Sequence, residues 1–548
     1  MKHIRLFIAA AVILLLSTAP TFGQSKSFTL GQWVEIHNAI LKELNRSYVD
    51  SLPVSRIQKA SIDAMLENLD PYTIYVPEED NEDFEFMIGK TYGGIGAVIY
   101  KPNTDSNVII NEPYFNSPAH KSGLKCGDEI VAIDGLSVKG LKADEATSRM
   151  KGNPGTSVVF SVKKLRGGET WSAGDTVKVT VVRERIHLPD MEYAGMLNDT
   201  TGYILQTGFT RNVSEDIKSA YFKLKSQGMT KLVLDLRGNG GGLLEEAVHI
   251  VGLFVPKGSL VVTSRGKHAG SKQEFKTTTD PIDTEIPIVV LVDSGSASAS
   301  EIVSGALQDL DRGTVMGRRT YGKGLVQSVR PLPYKGNLKV TTAKYYTPSG
   351  RCIQAIDYSH RNDDGSVGHI PDSLTKEFRT ARGRIVRDGG GITPDVTLSF
   401  RKYSRLAFSV VLNGIVDQYA LEYARKHESI PAIEEFSLSD ADYEDFVAFA
   451  KTKEFDFRSG AKTLFDQMKK ELAEDGMAEE LKDELAALEA RLDIEKGEFL
   501  RMKKAELIPF IEEEIASRYY YQEGGIKVRI KHDKTLAEAL GKPLVKYE

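Results

Sequence analysis

The chain has 548 residues, enough for roughly three or four domains. Hydrophobic residues make up 41% and charged residues 27%, with a formal net charge of −5. This is an ordinary globular composition, without the concentrated positive charge by which nucleic-acid binders displace counterions. Two cysteines, Cys126 and Cys352, are too few for a disulfide framework or a zinc site and read most simply as free thiols, with a single disulfide the alternative.

Lys2 and Arg5 precede the apolar run LFIAAAVILLL, and STAPTFGQ follows with small residues at Thr21 and Gly23. That pattern predicts a signal peptide over residues 1–23 and export to the periplasm or cell envelope. Eleven apolar residues fall short of the about 20 that span a bilayer, so an uncleaved signal is the one membrane attachment expected. Residues 24–90 read as a helical N-terminal region: Trp33, Val34, Ile40, Leu41 and Leu44 recur at helical spacing, as do Ile57, Ala64, Met65 and Leu69. Residues 91–185 change character, with AVIY, NVII, EIVAI and SVVFSV separated by Gly, Pro and Asn turns, which predicts a small, mostly β domain.

From 186 to 401 strand and helix alternate: GYILQT, KLVLDLR and IPIVVLVD are strand-like, while LLEEAVHIVGLF and EIVSGALQDL have helical spacing. The pattern predicts an α/β core. Residues 402–548 are helical and highly charged, and Leu481, Leu485, Leu488 and Leu492 form an amphipathic stripe. Gly476, Gly497 and Pro509 argue against a sustained coiled coil there. The whole is a multidomain α/β protein with a helical N-terminal element and a helical C-terminal extension.

Two places in the α/β section share one construction. KLVLDLR runs into GNGGG and a helix, and IPIVVLVD runs into SGSASAS and a helix. Small residues there let another chain approach the backbone, and the first helical turn presents unpaired N–H groups with partial positive charge. Nucleotide binding fits poorly, because Leu243 stands where the third glycine of GxGxxG belongs. The same amides can instead hold an oxyanion if a nucleophile lies nearby, and a serine on a tight strand-to-helix turn is a candidate. No histidine lies in either turn and no GxSxG is present, so a Ser-His-Asp triad has no local support. A lysine base is the other solution, and Lys323 stands between two glycines just before LVQSV. The residues alone leave open which serine of the run reacts.

SASASEIVSGALQD followed by GRRTYGKGLVQ resembles the active-site region of the C-terminal processing peptidases, or tail-specific proteases, which use a Ser-Lys dyad. The resemblance implies Ser298 as nucleophile, Lys323 as base 25 residues later, Gln327 as the residue orienting the lysine, and the backbone amides of Gly242 and Ala299 as oxyanion hole. LDPYTIYVPEE, YYTPSGRCIQ and GITPDV match further segments of the family, whereas the stretch from about 355 to 388 and the long tail depart from it. YGGIGAVI with SPAHKSGLKCGDEIVAIDG resembles a PDZ domain, which implies peptide binding at Tyr92, Gly93, Gly94 and Ile95. The α/β section is then a serine protease core preceded by an inserted PDZ domain.

The implied activity is that of a serine-type endopeptidase acting on proteins with free C-terminal tails, needing neither metal nor cofactor. Nucleic acid is not an expected partner. The helical C-terminal region is the candidate surface for an adaptor protein or a second copy of the chain. The rival readings are a noncatalytic PDZ scaffold, which would bind peptides without turnover, and a nucleotide binder using GNGGG.

Overall fold

A computed structural model describes residues 26–101, 103–165, 174–362 and 366–545. The expected signal peptide, residues 1–23, lies outside the described residues. The chain divides into two units, residues 1–75 and 76–548. In the first, helices α1 (Lys26–Ser47) and α2 (Val54–Glu67) follow the predicted apolar spacing. Their apolar residues Trp33, Val34, Ile40 and Met65 are nonetheless exposed. Among the described residues, no helix is long and apolar enough to cross a membrane.

The second unit begins with α3 (Asn81–Gly89) and the short strand β1 (Thr91–Gly94). The predicted β domain follows as β2 (Ala97–Tyr100), β3 (Val108–Pro113), β4 (Glu129–Ile133), β5 (Ser157–Lys163) and β6 (Thr176–Val182). These form an antiparallel sheet in that spatial order, with helix α4 (Ala143–Met150) in the β4–β5 connection. Alternate residues point into one core, so Val108, Ile110, Ile130, Val158, Phe160 and Val162 are fully buried. Strand β7 (Glu184–His187) returns alongside β1, so entry and exit of the domain are paired.

The α/β core is built on a sheet ordered β8 (Met191–Met196), β9 (Thr201–Gln206), β10 (Lys231–Asp235), β13 (Ile288–Val292), β14 (Thr314–Gly317) and β17 (Val396–Thr397). All neighbours after β8 are parallel. Helices α5 (Val213–Ser226), α6 (Leu244–Gly252) and α7 (Ala299–Asp309) contribute to its main hydrophobic core. The two constructions noticed in the sequence follow β10 and β13, which pair directly (Leu234↔Val290). Two adjacent parallel strands end at the same sheet edge, so their turns meet, which is where open α/β sheets place ligands. A second, antiparallel sheet contains β11 (Leu260–Gly266), β12 (Gln273–Lys276), β15 (Leu325–Pro331) and β16 (Asn337–Tyr346), with β16 between β15 and β11.

The stretch that departs from the family, about 355 to 388, holds two short hairpins, Ile356–Arg361 with Val367–His369 and Glu377–Arg379 with Ile385–Arg387. Beyond it the chain is helical, around a core that includes Tyr419, Tyr443, Phe446, Leu500, Leu507 and Ile511. The leucine stripe belongs to one short helix, Lys482–Leu492, in which Leu485 is buried and Leu488 exposed. Pro509 does not break the tail as its residue type suggests. It lies in the second turn of the helix Lys504–His532, where it removes the N–H that would donate to Ala505 O; Arg401 Nη2 donates to that carbonyl instead (2.7 Å), and the break in the helix falls at Tyr520–Tyr521.

Candidate active site

The serine run sorts itself by hydrogen bonding. Ser296 is fully buried, accepts from Asp293 N–H (2.9 Å) and donates to Leu236 O (2.7 Å). Ser300 donates to Asn239 O (2.8 Å) and Ser304 to Ser300 O (2.8 Å), both buried. Ser298 is the member of the run that lines a cavity of about 800 Å³. Its backbone has φ 56 and ψ −113, a conformation rare for a residue with a side chain. Such a conformation persists only when its surroundings over-determine it.

Glu301 supplies that constraint. It is completely buried, and its carboxylate accepts from Ser298 N–H (2.9 Å), Thr320 Oγ1 (2.5 Å), Gly322 N–H (2.7 Å) and Lys323 N–H (2.9 Å). One carboxylate therefore holds the backbones of both Ser298 and Lys323. Burial pushes its carboxyl up from the ordinary value, and the four donors oppose that shift. Tyr345 adds a second tie: its buried hydroxyl lies 2.6 Å from Lys323 O and 3.0 Å from Ser298 O, with one proton to donate between them. Reading the sequence missed both residues in these roles. Ser298-x-x-Glu301 is a capping-box pattern, and that signal was available.

The glycine turn is stapled to the serine turn. Asn239, fully buried, donates from Nδ2 to Gln206 O (2.8 Å) and accepts at Oδ1 from Gly241 N–H (2.9 Å). Its carbonyl accepts from Ala297 N–H (3.0 Å) as well as from Ser300. Gly241 makes the closest approach: a Cβ there would lie 2.7 Å from Ala297 O, 2.8 Å from Ser298 Cβ and 2.9 Å from Ala299 N, at φ +97. Gly242, the expected oxyanion residue, lines the same cavity and bridges to Phe209. Among the described residues, neither the Gly242 nor the Ala299 amide donates to an acceptor, which leaves both available to a substrate oxygen.

Lys323 and Gln327 line the same cavity as Ser298. Gln327 Nε2 donates to Thr341 Oγ1 (3.2 Å) on the neighbouring strand. Phe84, Met87, Phe209, Ile302 and Leu325 contribute apolar lining to the cavity. Among the described residues no group of His, Cys, Asp and Glu is arranged to hold a metal ion.

The expected peptide-binding residues lie in a strand and just after it. Tyr92, Gly93 and Gly94 are in β1, paired with Ile186, Arg185 and Glu184. Gly93 is required by a backbone crossing, since a Cβ there would lie 2.3 Å from Gly152 O. Tyr92 packs edge-on against Phe86 (5.7 Å), and burial pushes its phenol up to about 12. Ile95 is buried, with its carbonyl accepting from Ala119 N–H (2.8 Å). The turn proper is at Gly96 (φ +72), after which β2 forms the sheet edge, pairing with β3 on one side. Tyr92 and Gly93 line a second cavity of about 820 Å³, which shares Leu243 with the first.

Comparison with known proteins gives this arrangement its class. Residues 93–173 match the PDZ domain, 200–359 match "Peptidase family S41", and 406–541 match "Probable PDZ-protease, C-terminal helical domain". The molecule is a PDZ-bearing peptidase of the serine type. It is 32% identical over 354 residues to the carboxy-terminal-processing protease of Bartonella bacilliformis, covering 64% of this chain and 78% of that one. It is 33% identical over 371 residues to a "Probable CtpA-like serine protease" of Staphylococcus aureus, covering 67% of this chain and 65% of the relative. The solved photosystem II D1 C-terminal processing protease matches at 25% identity and a TM-score of 0.33, over 65% of this chain and 91% of that one. The chain belongs to the carboxy-terminal-processing proteases of peptidase family S41.

Proposed function

We propose that this chain is an exported endopeptidase in which Ser298 is the nucleophile and Lys323 the general base, and that its PDZ domain recognises free C-terminal tails of substrate proteins. The observation that carries the reading is Ser298 held at positive φ on the wall of a cavity by the same carboxylate that holds Lys323.

A substrate tail docks at the PDZ domain, adding as a strand to the open edge of β2. An upstream segment lies across the catalytic cavity. Lys323, neutral, takes the proton of Ser298 Oγ as that oxygen bonds to the carbonyl carbon. The carbonyl oxygen becomes an oxyanion between the Gly242 and Ala299 amides; losing one such donor costs about 3 kcal/mol in other proteases. The C–N bond then breaks and the proton passes from Lys323 to the leaving amine. Water, deprotonated by Lys323, releases the acyl group and restores Ser298. Gln327, beside the lysine on β15, is the candidate for fixing its position. Export rests on the N-terminal Lys2, Arg5 and the apolar run Leu6 to Leu16, and favours the periplasm or cell envelope. The helical C-terminal domain remains the candidate for docking an adaptor or a second copy.

The test is to incubate wild-type and Ser298→Ala protein with a disordered polypeptide, unamidated or C-terminally amidated, and identify fragments by mass spectrometry. Wild-type cleavage, its loss in Ser298→Ala and slower cleavage of the amidated chain are expected. Equal activity in Ser298→Ala would sink the dyad, and indifference to amidation would remove tail recognition.

A further inference from the structure

The catalytic cavity has a wall whose charge the reaction does not use. The β15–β16 hairpin, from Leu325 to Tyr346, contains four cations (Arg330, Lys335, Lys339, Lys344) and no Asp or Glu, in a chain of net charge −5. Lys335 pairs with Glu78 (2.5 Å). Arg330 and Lys344 are exposed, and no described carboxylate pairs with either. Lys339 is half-buried, lines the cavity beside Val329 and Gln327, and likewise has no carboxylate partner among the described residues. Elsewhere in the same cavity a cation is neutralised internally: Lys90 pairs with buried Asp190 at 2.6 Å.

We propose that Lys339 forms a subsite for an acidic side chain of the substrate polypeptide and is a specificity-determining residue. The inference rests on the peptidase reading above. A half-buried ammonium without a counter-ion is held at a desolvation penalty, and burial pushes the Lys339 ammonium below its ordinary value. A substrate carboxylate would offset that penalty, whereas a substrate lysine would add repulsion. The basic hairpin would also raise the encounter rate of acidic segments, an effect that salt screens.

Strand register places the subsite along the substrate. Lys339 stands opposite Val329, six residues after Lys323. At about 3.3 Å per residue this is roughly 20 Å along β15, and the lysine side chain shortens the gap, so the acidic position lies roughly four to six residues from the scissile bond.

The experiment walks one Glu, and in a parallel series one Lys, through every position of an otherwise neutral, unamidated peptide cleaved by the wild type. The readout is the ratio of kcat/KM for the Glu peptide over the Lys peptide at each position. A ratio of about fivefold or more is expected at one position in the predicted span, falling toward unity in Lys339→Ala and inverting in Lys339→Glu. Binding of the same peptides to Ser298→Ala protein needs no change at Lys339: tighter binding of the Glu peptide, weakening as salt rises, supports the subsite. Equal affinities, or a kcat/KM ratio that both Lys339 variants leave unchanged, overturn it. Cleavage without any charge preference defeats this inference alone, while a wild type that cleaves no peptide defeats the peptidase reading and this one with it.

Discussion

The turns after β10 and β13 are built from small residues at the same sheet edge, yet they solve opposite problems. In the glycine turn Gly241 comes so close to Ser298 that no side chain fits, and the Gly242 N–H donates to no acceptor among the described residues. The serine turn spends its hydroxyls inward, on Leu236 O, Asn239 O and Ser300 O, and keeps Ser298 facing the cavity. Small size serves close approach in one turn and internal hydrogen bonding in the other. Residue type is therefore a poor guide to which small residue is chemical and which is structural.

Four substitutions break or sharpen that contrast, and peptide turnover with thermal unfolding reads all of them. Lys323→Met removes the proposed base without disturbing either turn and should lower kcat by at least about a thousandfold. Gly241→Ala attacks the glycine turn. A Cβ at 2.7 Å from Ala297 O, on a backbone at φ +97, must push the two turns apart. We expect a loss of about a hundredfold in kcat with about 1–3 kcal/mol of stability. Near-normal kcat would show that the turns need not touch.

Glu301→Gln replaces a four-donor acceptor by a group that itself carries two donors, setting an amide N–H against a backbone N–H. A drop of about tenfold or more in kcat is expected from the loosened Ser298 and Lys323 backbones, along with about 1–3 kcal/mol of stability. Ser300→Ala is the mildest. It deletes the bond to Asn239 O and should cost about 1 kcal/mol in unfolding free energy, with kcat within a fewfold of wild type. A loss at Ser300 as large as at Lys323 would erase the distinction between the two kinds of serine.

The β domain teaches the same lesson from the other direction. Tyr92, Gly93 and Gly94 stand at the PDZ resemblance in sequence, but Gly93 is a glycine because Gly152 O crosses 2.3 Å from where its Cβ would be. Pattern placed the domain but not the reason for this glycine, because a glycine needed for a turn and a glycine needed for a close backbone crossing look alike until the crossing segment is known. In the tail the amphipathic stripe forms a helix, Lys482–Leu492, as its spacing predicts, with Leu485 the buried leucine.

What the amino-acid sequence determined by itself is what depends on neighbours along the chain. That covers the succession of helical, β, α/β and helical regions and the two strand-turn-helix constructions, while family resemblance supplied Ser298 and Lys323 as the proposed dyad. What only the tertiary structure decided depends on neighbours far apart. The pairing of β10 with β13 brings the two turns together, Asn239 staples them, and Gly241 rather than Gly242 makes the closest contact. Glu301 and Tyr345 reach across to hold the backbones of both Ser298 and Lys323. Periodicity and turn chemistry are local properties and survive in a string of letters. Hydrogen bonds between residues 20 to 60 positions apart exist only once the sheet has set its register.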